Sequence, residues 1–134
     1  MPVPSSISRP LKGLRILVVE DSFMAARSLR TMLEDLGVDV FGPVPNVEAA
    51  NALLNELRCD GAVLDIDLGQ ETSEAIATRL ERMGVPFFFV SGYEVPRTRL
   101  KSDRFRACRL IPKPIEPALL ELALVEEFHV RATH

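Results

Sequence analysis

Polar residues of the kinds that handle phosphate and divalent cations recur at the downstream ends of short apolar runs. Glu20 and Asp21 follow LRILVV, Asp65 closes GAVLD, Ser91 closes FFFVS, and Lys113 follows CRLIP. A further aspartate, Asp67, lies two residues beyond Asp65. Carboxylates do not sit in apolar runs without cause, because an unpaired buried charge is costly. Three clustered carboxylates repel one another and want a hard cation. Mg2+ suits them, since it takes oxygen ligands, keeps some waters and recruits phosphate oxygens. A carboxylate is also a nucleophile toward phosphorus and gives an acyl phosphate. A metal ion and Lys113 would offset the charge of a transferred phosphoryl group, with Ser91 donating a hydrogen bond to one of its oxygens. Which of Asp65 and Asp67 does the chemistry is left open by residue type alone.

The elements that must position these groups alternate. The apolar runs are LRILVV (14–19), VDVFG (38–42), GAVLDI (61–66), VPFFFVSG (85–92) and CRLI (108–111). Between most of them lie amphipathic segments. Ser22 caps a first helix with Ala25, Leu29, Met32, Leu33 and Leu36 at helical spacing, and Gly37 stops it. Asn46 caps a second, with Ala50, Leu53, Leu54 and Leu57 on one face. Thr72 or Ser73 opens a third, with Ile76, Leu80 and Met83 aligned before Gly84. Pro117 stands in the first turn of a last helix running from Glu116 to about Arg131. Alternation of all-apolar strands with helices predicts an α/β fold: a parallel sheet covered by helices on both faces. In such an open sheet, ligands bind at the carboxyl ends of the strands, where the polar residues above all fall.

Two segments depart from this regularity. EVPRTRLKSDRFRAC (94–108) should hold a fourth helix, yet only Val95, Leu100 and Phe105 are large and apolar, so a short or mobile helix is expected. It is locally basic, with Arg97, Arg99, Lys101, Arg104, Arg106 and the adjacent Arg109 against Asp103, which reads as a solvated cationic face or as a docking surface for an acidic partner. In the last helix Leu119, Leu120, Leu122, Ala123, Leu124, Val125 and Phe128 cover more than one face, which points to a protein–protein interface or to deep packing against the sheet.

The 134 residues suffice for one domain with a real core. A net charge of -3 offers no electrostatic footprint for nucleic acid. No apolar run approaches the ~20 residues of a membrane span. The first ten residues, MPVPSSISRP, lack the apolar stretch of a signal peptide and read as a flexible arm over 1–10. Cys59 and Cys108 form no metal or redox motif and read as reduced thiols of a cytoplasmic protein. His129 and His134, near the chain's end, are assigned no role.

In order and in type, the polar residues resemble the receiver domain of two-component response regulators over residues 14 to about 130. VVEDS (18–22) looks like the family's acidic pair, VLDIDL (63–68) its phosphoacceptor strand, FVSGY (89–93) its switch hydroxyl and PKP (112–114) its lysine motif. LGQETS and PFFFVSGY further resemble a stand-alone, alphaproteobacterial subgroup with a Phe-x-Thr/Ser-Gly-Tyr signature. The resemblance implies a doubly wound, five-stranded, flavodoxin-like sheet of order 2-1-3-4-5 over residues 11–134, with no output domain. It implies that Asp65 is phosphorylated and that Glu20, Asp21, Asp65 and the backbone carbonyl of Asp67 hold Mg2+. Ser91 and Lys113 would bind the phosphoryl group, with Lys113-Pro114 in the cis form. The donor would be a sensor histidine kinase or a histidine phosphotransfer protein, and output would pass to an unknown downstream protein, or the domain would act as a phosphate shuttle or sink. Phosphorylation would shift the loops after the fourth and fifth strands, making residues 92–109 and the last helix a partner or homodimer face.

The sequence also departs from the family. The position three before the lysine, usually Tyr or Phe, is Leu110, so Tyr93 becomes the candidate aromatic switch residue alongside Ser91. The Asp67 side chain, unneeded for a carbonyl ligand, would sit at the pocket rim, ordering a hydrolytic water or repelling a phosphodonor. Two other readings stand beside this one: a Mg2+-dependent phosphohydrolase using DID (65–67) as a DxD motif, and a phosphorylation-independent scaffold.

Overall fold

A computed structural model describes residues 9–92 and 95–132. Among them the elements run β1 (Arg9–Pro10), β2 (Arg15–Val19), α1 (Phe23–Asp35), β3 (Asp39–Val44), α2 (Val47–Glu56), β4 (Gly61–Asp65), α3 (Glu74–Met83), β5 (Phe87–Gly92), a 3-10 turn (Arg97–Arg99), α4 (Asp103–Arg106), β6 (Leu110–Lys113), α5 (Pro117–Phe128) and β7 (Val130–Arg131). The main sheet is five-stranded and parallel, in the order β3-β2-β4-β5-β6. Counted without the short β1, this is the expected 2-1-3-4-5.

Strand side chains alternate between two cores, as the period of two requires. Ile16, Val18, Val63, Phe88 and Val90 pack with Leu29 and Leu33 of α1 and with Leu120, Ala123, Leu124 and Phe128 of α5. Leu17, Val19, Ala62, Leu64 and Phe89 face Ala50 and Leu54 of α2, Ile76, Ala77 and Leu80 of α3, and Phe105 of α4. Each strand is therefore apolar on both sides, which is why the runs show no polar alternation.

The helix ends follow their caps. Ser22 accepts the Ala25 N–H and Asn46 the Ala49 N–H. At α3 the hydroxyl of Thr72 accepts the Glu74 N–H, while Ser73 is buried and makes no capping bond. Gly84 ends α3 in the left-handed region at φ 72°, a conformation glycine adopts without steric cost.

The structure sharpens several expectations. The last helix stops at Phe128 rather than near Arg131, because His129 turns left-handed and Val130–Arg131 pair with Arg9–Pro10 as a two-stranded parallel ladder. Residues 1–8 of the expected arm lie outside the described residues, but Arg9 and Pro10 are strand, and Arg9 donates to Asp60, which also takes the backbone N–H and guanidinium of Arg15. Those bonds outweigh the burial of Asp60 and hold its carboxyl far below the usual carboxylate range. The fourth helix is short, one turn after a 3-10 turn, with Leu100 and Phe105 as its buried anchors. Its basic character is largely spent inside the protein: Arg97 donates to the carbonyls of Arg106 and Cys108, Arg99 pairs with Asp67, Arg104 with Glu81, and Arg109 with Glu126 and Glu127. In α5 Leu120, Ala123, Leu124 and Phe128 are buried against the sheet, while Leu119 and Leu122 stay exposed.

One contact is tight enough to be read by mutation. A Cβ on Gly61 would lie 2.7 Å from the Phe128 ring, which itself stacks on Phe88. Gly61→Ala should lower stability by about 1–3 kcal/mol through overpacking. Urea unfolding should show the loss, and adding Phe128→Leu should return part of it.

Candidate functional site

Strand register assembles the site. Val19 pairs with Leu64, so Glu20, the next residue after β2, comes beside Asp65 at the end of β4. Asp65 pairs with Val90 and Gly92 with Lys113, which puts Ser91 and Lys113 at the same carboxyl edge. The Glu20 amide donates to the Val44 carbonyl, and its carboxylate accepts the Ser22 N–H, fixing the acidic pair at the entrance to α1. Carboxylate oxygens of Glu20, Asp21 and Asp65 lie within 4.8 Å of one another. Lys113 donates to Glu20, and to Asp65 Oδ2 at 3.2 Å. The Lys113-Pro114 peptide is cis.

The charges in this cluster do not balance. Three carboxylates share one ammonium, and Glu20 and Asp65 are both buried. Burial, then the hydrogen bond and charge of Glu20, push the Asp65 carboxyl up to about 8. Burial also works against Glu20, but hydrogen bonds from Asp65 and Lys113 outweigh it and keep Glu20 below its ordinary value. Asp21, on the outer side, is raised by partial desolvation and by Glu20. Lys113 is held above its ordinary value because its two carboxylate partners overcome the cost of its burial. An all-oxygen donor set with surplus negative charge fits a hard divalent cation.

The other expected residues are placed less uniformly. Ser91 is buried at this edge, with its hydroxyl turned to the Gly92 carbonyl. Tyr93 lies outside the described residues. Leu110 starts β6 opposite Phe89 and packs into the core beside it. The Asp67 carboxylate is paired with Arg99 at 3.1 Å and accepts the Gly69 N–H. Gly69 itself adopts φ 88°, and a Cβ there would lie 3.8 Å from Asp21 Oδ2, so this loop lies against Asp21. Neither Gly69 nor Arg99 was singled out for the site from the sequence. A glycine two residues after the DID triplet is a faint signal for such a turn, whereas nothing along the chain connects Arg99 to Asp67.

Residues 16–125 match the family model described as response regulator receiver domain. The chain belongs to that family. Among curated proteins, this receiver is 32% identical over 106 residues to the phyllosphere-induced regulator PhyR of Methylorubrum extorquens, covering 77% of this chain and 39% of that protein. It is 27% identical over 112 residues to the sensory transduction protein LytT of Bacillus subtilis, covering 83% and 46%. The chain thus spans less than half the length of these relatives. Among solved structures, SdrG from Sphingomonas melonis Fr1 is 31% identical with a TM-score of 0.75, over 88% of this chain and 98% of that one. The signal receiver domain of a modulated diguanylate cyclase from Desulfovibrio desulfuricans G20 is also 31% identical, with a TM-score of 0.77 over 88% and 95%.

The crowding makes a prediction about this receiver without metal. A carboxyl whose folded pKa is raised holds its proton in the native state after the unfolded chain, at roughly 3.9, has lost it. The contribution of Asp65 to stability therefore falls as pH rises from about 4 through about 8. Asp65→Asn lacks this penalty. In EDTA, its urea midpoint should exceed that of the wild type by a margin that grows across that window and levels off above it.

Proposed function

We propose that this receiver takes a phosphoryl group onto Asp65 from the phosphohistidine of a sensor kinase or phosphotransfer protein and signals by the resulting change of shape. The observation that carries the reading is the buried Asp65 carboxylate at the end of the central strand, held by Lys113 and crowded by Glu20 and Asp21 within 4.8 Å. A deprotonated Asp65 oxygen attacks phosphorus, a P–O bond forms, the P–N bond breaks and the imidazole leaves with its electron pair. Glu20, Asp21, Asp65 and the Asp67 backbone carbonyl would hold Mg2+, which supplies neutralising charge when bound. Lys113, already on Asp65, stays with the phosphoryl oxygens, and Ser91 turns its hydroxyl from the Gly92 carbonyl toward them.

That turn is the start of the switch. Ser91 and Lys113 end adjacent strands, so drawing them toward one phosphoryl group biases the loops after β5 and β6. Leu110 offers no ring to rotate, and Tyr93 with its loop is the aromatic element assigned to this step. The affected surface runs from residue 92 to 109 and onto α5, where exposed Leu119 and Leu122 offer an apolar face to a downstream protein or a second copy. The DxD phosphohydrolase alternative would need Asp67 as a free acid or base, and Arg99 occupies that carboxylate.

Intact mass after incubation with acetyl phosphate and Mg2+ should show one added phosphoryl group on the wild type and none on Asp65→Asn. A wild type that stays unmodified would favour the scaffold reading, and continuous turnover of a generic phosphate ester the phosphohydrolase. Mg2+ alone should raise the melting temperature, by the equivalent of about 2.7 kcal/mol at a hundredfold excess over its Kd. Asp21→Asn should lose most of that shift.

A further inference from the structure

The rim of the phosphoacceptor pocket carries a fourth carboxylate, and a distant segment neutralises it. Asp67 Oδ1 accepts from Arg99 Nη2 at 3.1 Å and from the Gly69 N–H at 3.3 Å, so the carboxylate is fixed from two sides. The same short loop lies against Asp21, with a Cβ at Gly69 coming 3.8 Å from Asp21 Oδ2. The Asp67 carboxylate, held on the Gly69 N–H of that loop, is thus placed at the edge of the acidic cluster. Arg99 belongs to the 3-10 turn that begins the irregular region before β6. That region is seated independently of Asp67. Glu74 accepts the Lys101 N–H at 2.5 Å, Arg104 pairs with Glu81, and Leu100 and Phe105 are buried.

We propose that Arg99 is a positioning residue for phosphoryl entry, acting by cancelling the charge of Asp67 at the mouth of the pocket. The inference rests on the phosphoacceptor reading of Asp65. A small phosphodonor is an anion and must approach a site that already holds three carboxylates and one ammonium. With Asp67 paired, the rim presents a charge much of which the guanidinium offsets. With Asp67 unpaired, it adds a full negative charge close to the path of the donor, and at a solvent-exposed rim this slows entry about three- to tenfold. Because Arg99 is carried by the segment before β6, a ligand that displaces that segment lowers the rate of phosphoryl entry.

The experiment measures the rate of phosphorylation by acetyl phosphate with saturating Mg2+, by intact mass, for wild type, Arg99→Gln, Asp67→Asn and the double variant. Arg99→Gln should be about three- to tenfold slower than wild type at low ionic strength, and high salt should shrink the difference. In the Asp67→Asn background the same arginine substitution should change the rate less than twofold. An Arg99→Gln rate equal to wild type overturns the proposal. So does an undiminished loss in the Asp67→Asn background, which would mean that the arginine attracts the donor itself. Absence of phosphorylation in the wild type would instead remove the phosphoacceptor reading on which the proposal stands.

Discussion

Three carboxylates and one ammonium occupy the carboxyl edge of the sheet, and the rest of the structure serves to keep them there. Left to itself the cluster would disperse: like charges repel, and burial removes the water that would screen them. It is held by strands that are apolar on both sides and locked by helices on each face, so that neither Glu20 nor Asp65 has room to withdraw. Lys113 relieves part of the repulsion and in doing so becomes fixed itself. The residual negative charge on an all-oxygen donor set suits a hard divalent cation.

Much of this was legible along the chain because parallel sheets write their function into strand ends. Five apolar runs with helical segments between them fix both the sheet and the edge at which Glu20, Asp65, Ser91 and Lys113 emerge. Capping by Ser22 and Asn46 was equally plain, since both hydroxyl and amide caps act within three residues. What escaped were interactions that need the third dimension. The pairing of Arg99 with Asp67 spans 32 residues, and the anchoring of Arg9 and Arg15 on Asp60 joins three segments of the chain. The end of α5 escaped for a related reason. Val130 has the apolar character of the residues before it, and only its pairing with Arg9, near the opposite end of the chain, draws it out of the helix.

The region before β6 shows what composition leaves out when read without partners. Its arginines suggested a cationic face, yet most of them are consumed by acidic side chains of α3 and α5 and by local carbonyls. The segment is thereby held by a set of polar contacts around two apolar anchors rather than by the continuous apolar stripe of a full helix. Such a region has few buried contacts to lose and is the kind from which moving parts of proteins are drawn. On the neighbouring helix, Leu119 and Leu122 remain in water while Leu120, Ala123 and Leu124 are buried.

The ladder between β1 and β7 lies at the other end of the molecule. It joins Arg9–Pro10 to Val130–Arg131, and Arg9 is tied to Asp60 just ahead of β4. Entry and exit of the folded unit are thus side by side, at the amino ends of the strands and remote from Asp65. A unit whose two ends meet can be spliced into a surface loop of another protein without prying that host apart. Its chemistry would face away from the junction.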